Sequence, residues 1–317
     1  MADGKWIPGL TSDTPVVEAA RKVLSVRLDV VLHYLPLAAW HPEDDVEHVH
    51  HLRVATRRTG AALKLFCDCL PLKRAKEARK QLRRIRRAAG EARDWDVFQM
   101  NLAEYAAKRP AGERRGLDFL EGVAFERRAG VQPGLVEAAE ERFDPNTVLA
   151  ALGEPDDFNA PRRLGRLAEL DVNDLLSELD AEIGHESDDY EHLHRVRILG
   201  KRVRYAMEVF TDCFAPAFRQ DLYPAVEQMQ EILGAANDSH VAVGRLGELR
   251  DTLQAARPAE WKRYGTGVEH LLKHHQTRLP AQRKQFDDWQ KEWRLLRAAV
   301  PTWIPVLRVP AEVTEKK

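Results

Sequence analysis

The chain has 317 residues, of which 44% are hydrophobic, 31% charged and 7% aromatic, with a formal net charge of -1. That apolar content excludes an intrinsically disordered chain, and high charge with few aromatics favours long solvated helices over sheets, so an all-α fold is expected. Three cysteines exclude a disulfide framework for a chain of this length and fit a reducing compartment.

The N-terminal tail, residues 1–15, carries Asp3, Lys5, Trp6 and Pro8 and has no apolar run of signal-peptide length. No later stretch reads as the roughly 20-residue apolar span of a membrane helix, so a cytoplasmic protein without membrane contact is expected. A helix is predicted to open at Asp45, whose short carboxylate suits an N-cap and the positive helix end. The next, from about 72 to 89, is expected to stop at Gly90. Gly153, Pro155, Asn159 and Pro161 mark a junction between halves at roughly 16–155 and 165–300 of one domain, 16–300. Beyond it, Asp189 opens a helix and another, about 217–233, is expected to stop at Gly234. Phe286, Trp289 and Trp293 read as core, and 301–317 form a C-terminal tail.

The small net charge hides a separation of signs. Residues 50–93 hold fourteen Lys and Arg against Asp68, Glu77 and Glu91, whereas 151–192 hold thirteen acids against Arg162, Arg163 and Arg166. The first segment has the charge of an electrostatic footprint, and the second reads as an acidic connector able to mask or flank it.

The chain also repeats itself. Asp44 to Arg53 recurs as Asp188 to Arg197 at an offset of 144, with nine identities over 44–66. In the same register Gly90 to Asp94 meets Gly234 to Asp238, and Cys69 meets Cys213. At about 100° per residue, His50, Arg53, Arg57 and Lys64 share one face of the first motif helix, with Leu52, Ala55, Ala62, Leu63 and Phe66 opposite. The second copy places His194, Arg197, Lys201 and Arg204 on the matching stripe, and Glu208 where Lys64 stands. The helix after the first motif adds Arg79, Arg83 and Arg86 on one side, against a narrow apolar seam from Leu72 to Ala89. Guanidinium groups match phosphate oxygens with planar, paired hydrogen bonds, so Arg-rich faces of this kind suit a polyphosphate.

These segments resemble the conserved histidine alpha-helical, or CHAD, domain family. The residues that carry the likeness are His50, Arg53, Val54, Arg57 and Arg58; Gly90, Arg93 and Asp94; His194, Arg197, Lys201, Arg202, Arg204 and Tyr205; and Leu233, Gly234, Asn237 and Asp238. The resemblance implies two pseudosymmetric four-helix bundles whose basic residues converge on a central groove or pore that binds inorganic polyphosphate, with no catalytic activity. It departs from the pattern at Gly60, where the family's first motif would place an Arg. A triphosphate-tunnel domain is not expected beside it in these 317 residues.

The resulting expectation is a non-catalytic polyphosphate binder, targeted to polyphosphate granules by that affinity, with no cofactor and no metal. Its expected binding residues are His50, Arg53, Arg57, Arg58, Lys64, Arg79, Arg83, Arg86, Arg93, His194, Arg197, Lys201, Arg202 and Arg204. Each basic stripe alone also fits a solvated or ion-paired face. A zinc site at His270 and His274 would lack the partnered Glu of a His-Glu-x-x-His helix. A phosphohydrolase or phosphohistidine relay through His50 or His194, and nucleic acid as a weakly competing partner, stay open as alternatives. Asp94 and Asp238 read as N-caps or Arg partners rather than general bases, and Cys69 and Cys213 as buried packing.

Overall fold

Both motif segments are helical in the computed structural model, which describes residues 4–298 apart from 142, 158 and 186–188 and from the side chains of 111–113. The described residues form α1 (Val16–Trp40), α2 (Glu47–Leu65), α3 (Leu72–Ala107), α4 (Ala111–Glu140), α5 (Pro145–Ala150), α6 (Leu164–Ile183), α7 (Tyr190–Phe210), α8 (Tyr223–Ala256) and α9 (Pro258–Ala298). No strand forms among them; Pro15 and Arg163 make an isolated bridge. The fold is all-α, as expected.

The motif helices start where their aspartates direct. The Asp189 carboxylate caps α7 by accepting the His192 N–H at 2.6 Å. Asp45 stands one residue before the α2 cap, Val46, yet accepts the Glu47 N–H at 2.9 Å. The faces divide as the periodicity predicts: Leu52, Ala62, Leu63, Phe66, Val196, Ala206 and Phe210 are all almost fully buried. Leu72 is the exception in the α3 seam, 67% exposed in the first turn of the helix.

The two glycine stops are not stops. α3 runs on through Gly90 to Ala107, and α8 through Gly234 to Ala256. Neither glycine has positive φ, and both are followed by good helix formers, so nothing local breaks the ladder. At Gly90 a Cβ would sit 3.9 Å from Arg53 Nε.

α1 to α4 pack on one another in sequence and α4 returns to α1. α6 to α9 do likewise, with α9 tied back to α6 where the Trp293 indole donates to Asp180 at 2.7 Å. The two groups meet through α2 on α7, α3 on α8 and α4 on α9. Gly116 and Gly267 let α4 and α9 touch backbone to backbone, since a Cβ on either would lie 2.7 Å from the other's Cα. Trp289 and Trp293 are 2% exposed in the core, as expected of them.

The core does not follow the halves. One cluster joins α1, α2, α6 and α7 to the near ends of the four long helices, including Ala89, Leu135, Leu233 and Phe286. A smaller one joins the far ends through Phe98, Leu120, Leu246 and Leu271. α3 and α8 pass from one cluster to the other near Asp94 and Asp238, so polar side chains on that stretch sit between two apolar layers. α1 was not anticipated as an apolar span because Arg21, Lys22, Arg27 and Asp29 interrupt it; by length and composition it could cross a bilayer. Here Val23, Leu24, Leu28 and Val31 are fully buried in the core.

Candidate functional site

Between the two apolar layers lies a cavity of about 1190 Å³, walled by α2, α3, α6, α7 and α8 with His275 of α9 at its edge. Its central part takes residues in pairs related by the repeat: Arg53 with Arg197, Arg57 with Lys201, Asp94 with Asp238, and Asn101 with Arg245. From there it extends to one side, between the Arg-rich stretch of α3 and the acidic face of α6.

Of the residues expected to bind, Arg53, Arg57, Lys64, Arg79, Arg83, Arg86, His194, Arg197, Lys201 and Arg202 line this cavity. Some have partners. Arg53 donates to Asp94 at 2.8 Å, Arg202 to Glu178 at 2.6 Å and Arg79 to the Leu63 carbonyl at 2.7 Å. Arg197 donates to the Asn237 amide oxygen at 3.4 Å and lies in the field of Asp238, and among the described residues its Nε, like that of Arg53, is buried without an acceptor. Arg57 donates to the Tyr205 hydroxyl, and burial with the Arg53 charge lowers its pKa to about 10.

Lys201 is the most perturbed of these groups. Burial, then the charges of Arg57, Arg197, Arg53 and Arg204, push its pKa from 10.5 down to about 5. Among the described residues no carboxylate lies within ion-pair reach of Lys201, Arg57, Lys64, Arg83 or Arg86. Desolvation and like charge both disfavour a charged lysine. An anion placed here would reverse the second effect and return the proton.

The remaining expected residues lie elsewhere. Arg58 is 6% exposed and forks onto Glu208 at 2.9 and 3.3 Å; Glu208 also faces Arg27 at 3.6 Å and accepts from the Tyr223 hydroxyl at 3.2 Å. This is a buried structural network. The fork onto Glu208 keeps Arg58 off the cavity, although its repeat counterpart Arg202, turned by the same angle from Lys201, lines it. Arg93 is directed at Glu47, 3.0 Å away, and His50 sits beside both, its pKa lowered by burial and by Arg93. Arg204 stands behind the lining, 3.9 Å from Glu208, and acts on Lys201 through its field. Asp94 is an Arg partner in mid-helix, which rules out the N-cap role. Cys69 and Cys213 are buried, and all three cysteines are free.

Several lining residues were not anticipated from the sequence. Arg245 donates to the Asp94 carbonyl at 2.8 Å and stacks over the Trp95 ring at 4.2 Å, which holds it at the wall. Its signal was available, since the repeat aligns it with Asn101. The acids of α6 belong to the segment expected to mask or flank the basic face, and Asp171, Asp174 and Glu178 form a wall opposite the arginines. Burial and the neighbouring Asp174 raise the Asp171 pKa to about 6, against the opposing pull of Lys64. Cys67 also reaches the cavity, but burial and Asp68 push its thiol up, away from the thiolate form.

The geometry defines a class: an all-helical protein folded around a cation-lined cavity whose centre is walled by two copies of one helix motif. The CHAD domain model matches residues 23–247, and the chain belongs to the CHAD domain family. Two solved structures share the fold. The CHAD domain from the plant Ricinus communis is 22% identical, with a TM-score of 0.62, over 89% of this chain and 95% of that one. PptA from Streptomyces chartreusis is 17% identical, with a TM-score of 0.64, over 88% of this chain and 100% of that one. No match was found among curated proteins.

Proposed function

We propose that this protein binds linear inorganic polyphosphate in the cavity and does not cleave it. One observation carries the proposal: Lys201 is held at a pKa of about 5 within a set of guanidinium groups, with no carboxylate paired to it. A protein retains such an unfavourable arrangement where an anion relieves it. Arg53, Arg57 and Arg197 offer forked donors to phosphoryl oxygens around it, and Arg79, Arg83 and Arg86 continue the track along α3. Affinity for the polymer would carry the protein to polyphosphate granules.

Binding of long-chain polyphosphate, a DNA duplex and an RNA, compared in one buffer across a salt series, tests this. Polyphosphate is expected to bind most tightly, with an affinity that falls steeply with salt as counterions compete. Equal affinity for all three polymers would reduce the cavity to a generic basic surface. Asp171, its pKa raised to about 6 at the mouth, is a lining group placed to act as a general base in a hydrolytic reading. Orthophosphate release by the purified protein that vanishes in Asp171→Asn would favour that reading instead.

A further inference from the structure

The lining of the cavity changes its chemistry along α3 and α8. Before Gly90, α3 contributes Arg79, Arg83, Arg86 and Arg87. Asp94 and Asp238 come next, and burial followed by the Asp94 charge raises the Asp238 pKa, against the pull of Asn237 and Arg197. Past these carboxylates the walls turn apolar, with Val97 and Phe98 on α3 and Val241 and Ala242 on α8. The cation in this stretch, Arg245, is held by the Asp94 carbonyl and the Trp95 ring. A phosphate chain is well matched before the two carboxylates and poorly matched after them.

Two neutral polar side chains stand in the apolar stretch. His275 of α9 lines the cavity at 3% exposure, and its Nδ1 is buried without a hydrogen-bond partner among the described residues. Leaving such a group unpaired costs free energy that a ligand can recover. Burial, then the charges of His274 and Arg278, hold its pKa at about 4, so the imidazole is neutral and offers one donor and one acceptor. Asn101 of α3 adds an amide to the same lining. Tyr105, one turn further on, packs its ring 4.7 Å from that of His274, which brings this part of α9 to this part of α3.

We infer that the stretch past Asp94 and Asp238 is a nucleobase subsite, so that the cavity also takes a nucleoside polyphosphate, its base against Phe98, Asn101 and His275. This rests on the polyphosphate reading for the phosphates, which lie on Arg57, Arg197 and Lys201, and adds a ligand class to it. Each part of the ligand meets matching chemistry. Ribose hydroxyls donate to the two carboxylates, and the Phe98 ring with its apolar neighbours takes the face of a base. An Asn amide matches the paired donor and acceptor on an adenine edge. At about 1.5 Å per residue, Asn101 lies roughly 10 Å along α3 from Asp94, which leaves room for a base beyond the ribose.

The test titrates the full chain with ATP, inorganic tripolyphosphate and long-chain polyphosphate in one magnesium-free buffer. ATP should bind about ten-fold more tightly than tripolyphosphate, the gain expected from stacking a base, although tripolyphosphate carries the greater charge. His275→Leu and Asn101→Ala should each remove most of that preference and leave the affinity for both inorganic ligands unchanged. Asn101 is only partly buried, so its variant reports on the subsite even if the His275 variant fails to fold. ATP bound no more tightly than tripolyphosphate, or a preference that survives both substitutions, would overturn the subsite and leave polyphosphate binding intact. Long-chain polyphosphate that fails to bind while ATP keeps its preference would remove the polymer reading and keep the subsite. Failure of all three ligands would remove both.

Discussion

Arg57 of α2 and Lys201 of α7 stand at equivalent positions of the repeated motif and line the same cavity. After burial, the Arg57 charge is the strongest influence keeping Lys201 unprotonated near neutral pH. The pair links the stability of the free protein to its capacity for anions.

Anion binding is expected to take up a proton. With a pKa of about 5, Lys201 is neutral at pH 7 in the free protein and recovers its charge when phosphoryl oxygens surround it. Titration calorimetry in buffers of different ionisation enthalpy should show uptake approaching one proton per site, with affinity rising as pH falls towards 5. Binding without proton exchange would contradict it. Unfolded, the lysine titrates at its ordinary 10.5, so its contribution to stability is present above that pH, declines as pH falls and is fully lost below about 5.

Lys201→Met separates stability from function. Removing a buried amine that lacks a carboxylate partner should stabilise the free protein by about 0.5–2 kcal/mol, raising its melting temperature by a few degrees, while polyphosphate affinity falls. Loss of both properties together would mean that Lys201 is a packing residue. Exchanging Arg197, Lys201 and Arg204 together for neutral residues should abolish binding while helicity, read by circular dichroism, is kept.

The acidic wall should oppose the ligand. Asp171→Asn removes a charge at the mouth and is expected to strengthen polyphosphate binding about two- to five-fold at pH 7.5, the range of a partly screened charge pair. With its pKa raised to about 6, Asp171 is mostly protonated at pH 5, so wild type and variant should converge there. A constant ratio at both pH values would assign the effect to shape.

Glu208→Ala should cost about 3–5 kcal/mol in chemical denaturation, because it strands the buried guanidinium groups of Arg27 and Arg58. A loss under about 1 kcal/mol would show that water reaches this network. Lys64→Ala, at the equivalent position in the cavity lining, should leave stability nearly unchanged.

Much of this protein was legible from its sequence because helices write their faces at fixed spacing. The duplication, the all-α class, the buried sides of α2 and α7 and the cap at Asp189 all follow from local periodicity and hydrogen-bond chemistry. Most of the basic residues of the cavity lining were also named in advance, since Arg53 and Arg57, like Arg197 and Lys201, share a stripe. What local rules could not decide is which cations keep a neighbour. Arg58 and Arg202 are the same residue in the same repeat position, yet one is locked to Glu208 in the core and the other stands at the mouth beside Glu178. Gly90 and Gly234 were expected as helix ends, but neither takes the positive φ of a C-terminal stop and helix formers follow both, so α3 and α8 continue across both apolar clusters. Tertiary packing alone set the acids of α6 against the arginines of α3 and locked Arg58 onto Glu208 in the core. Charge partnerships and openings depend on which helices meet, and those contacts join residues more than a hundred positions apart.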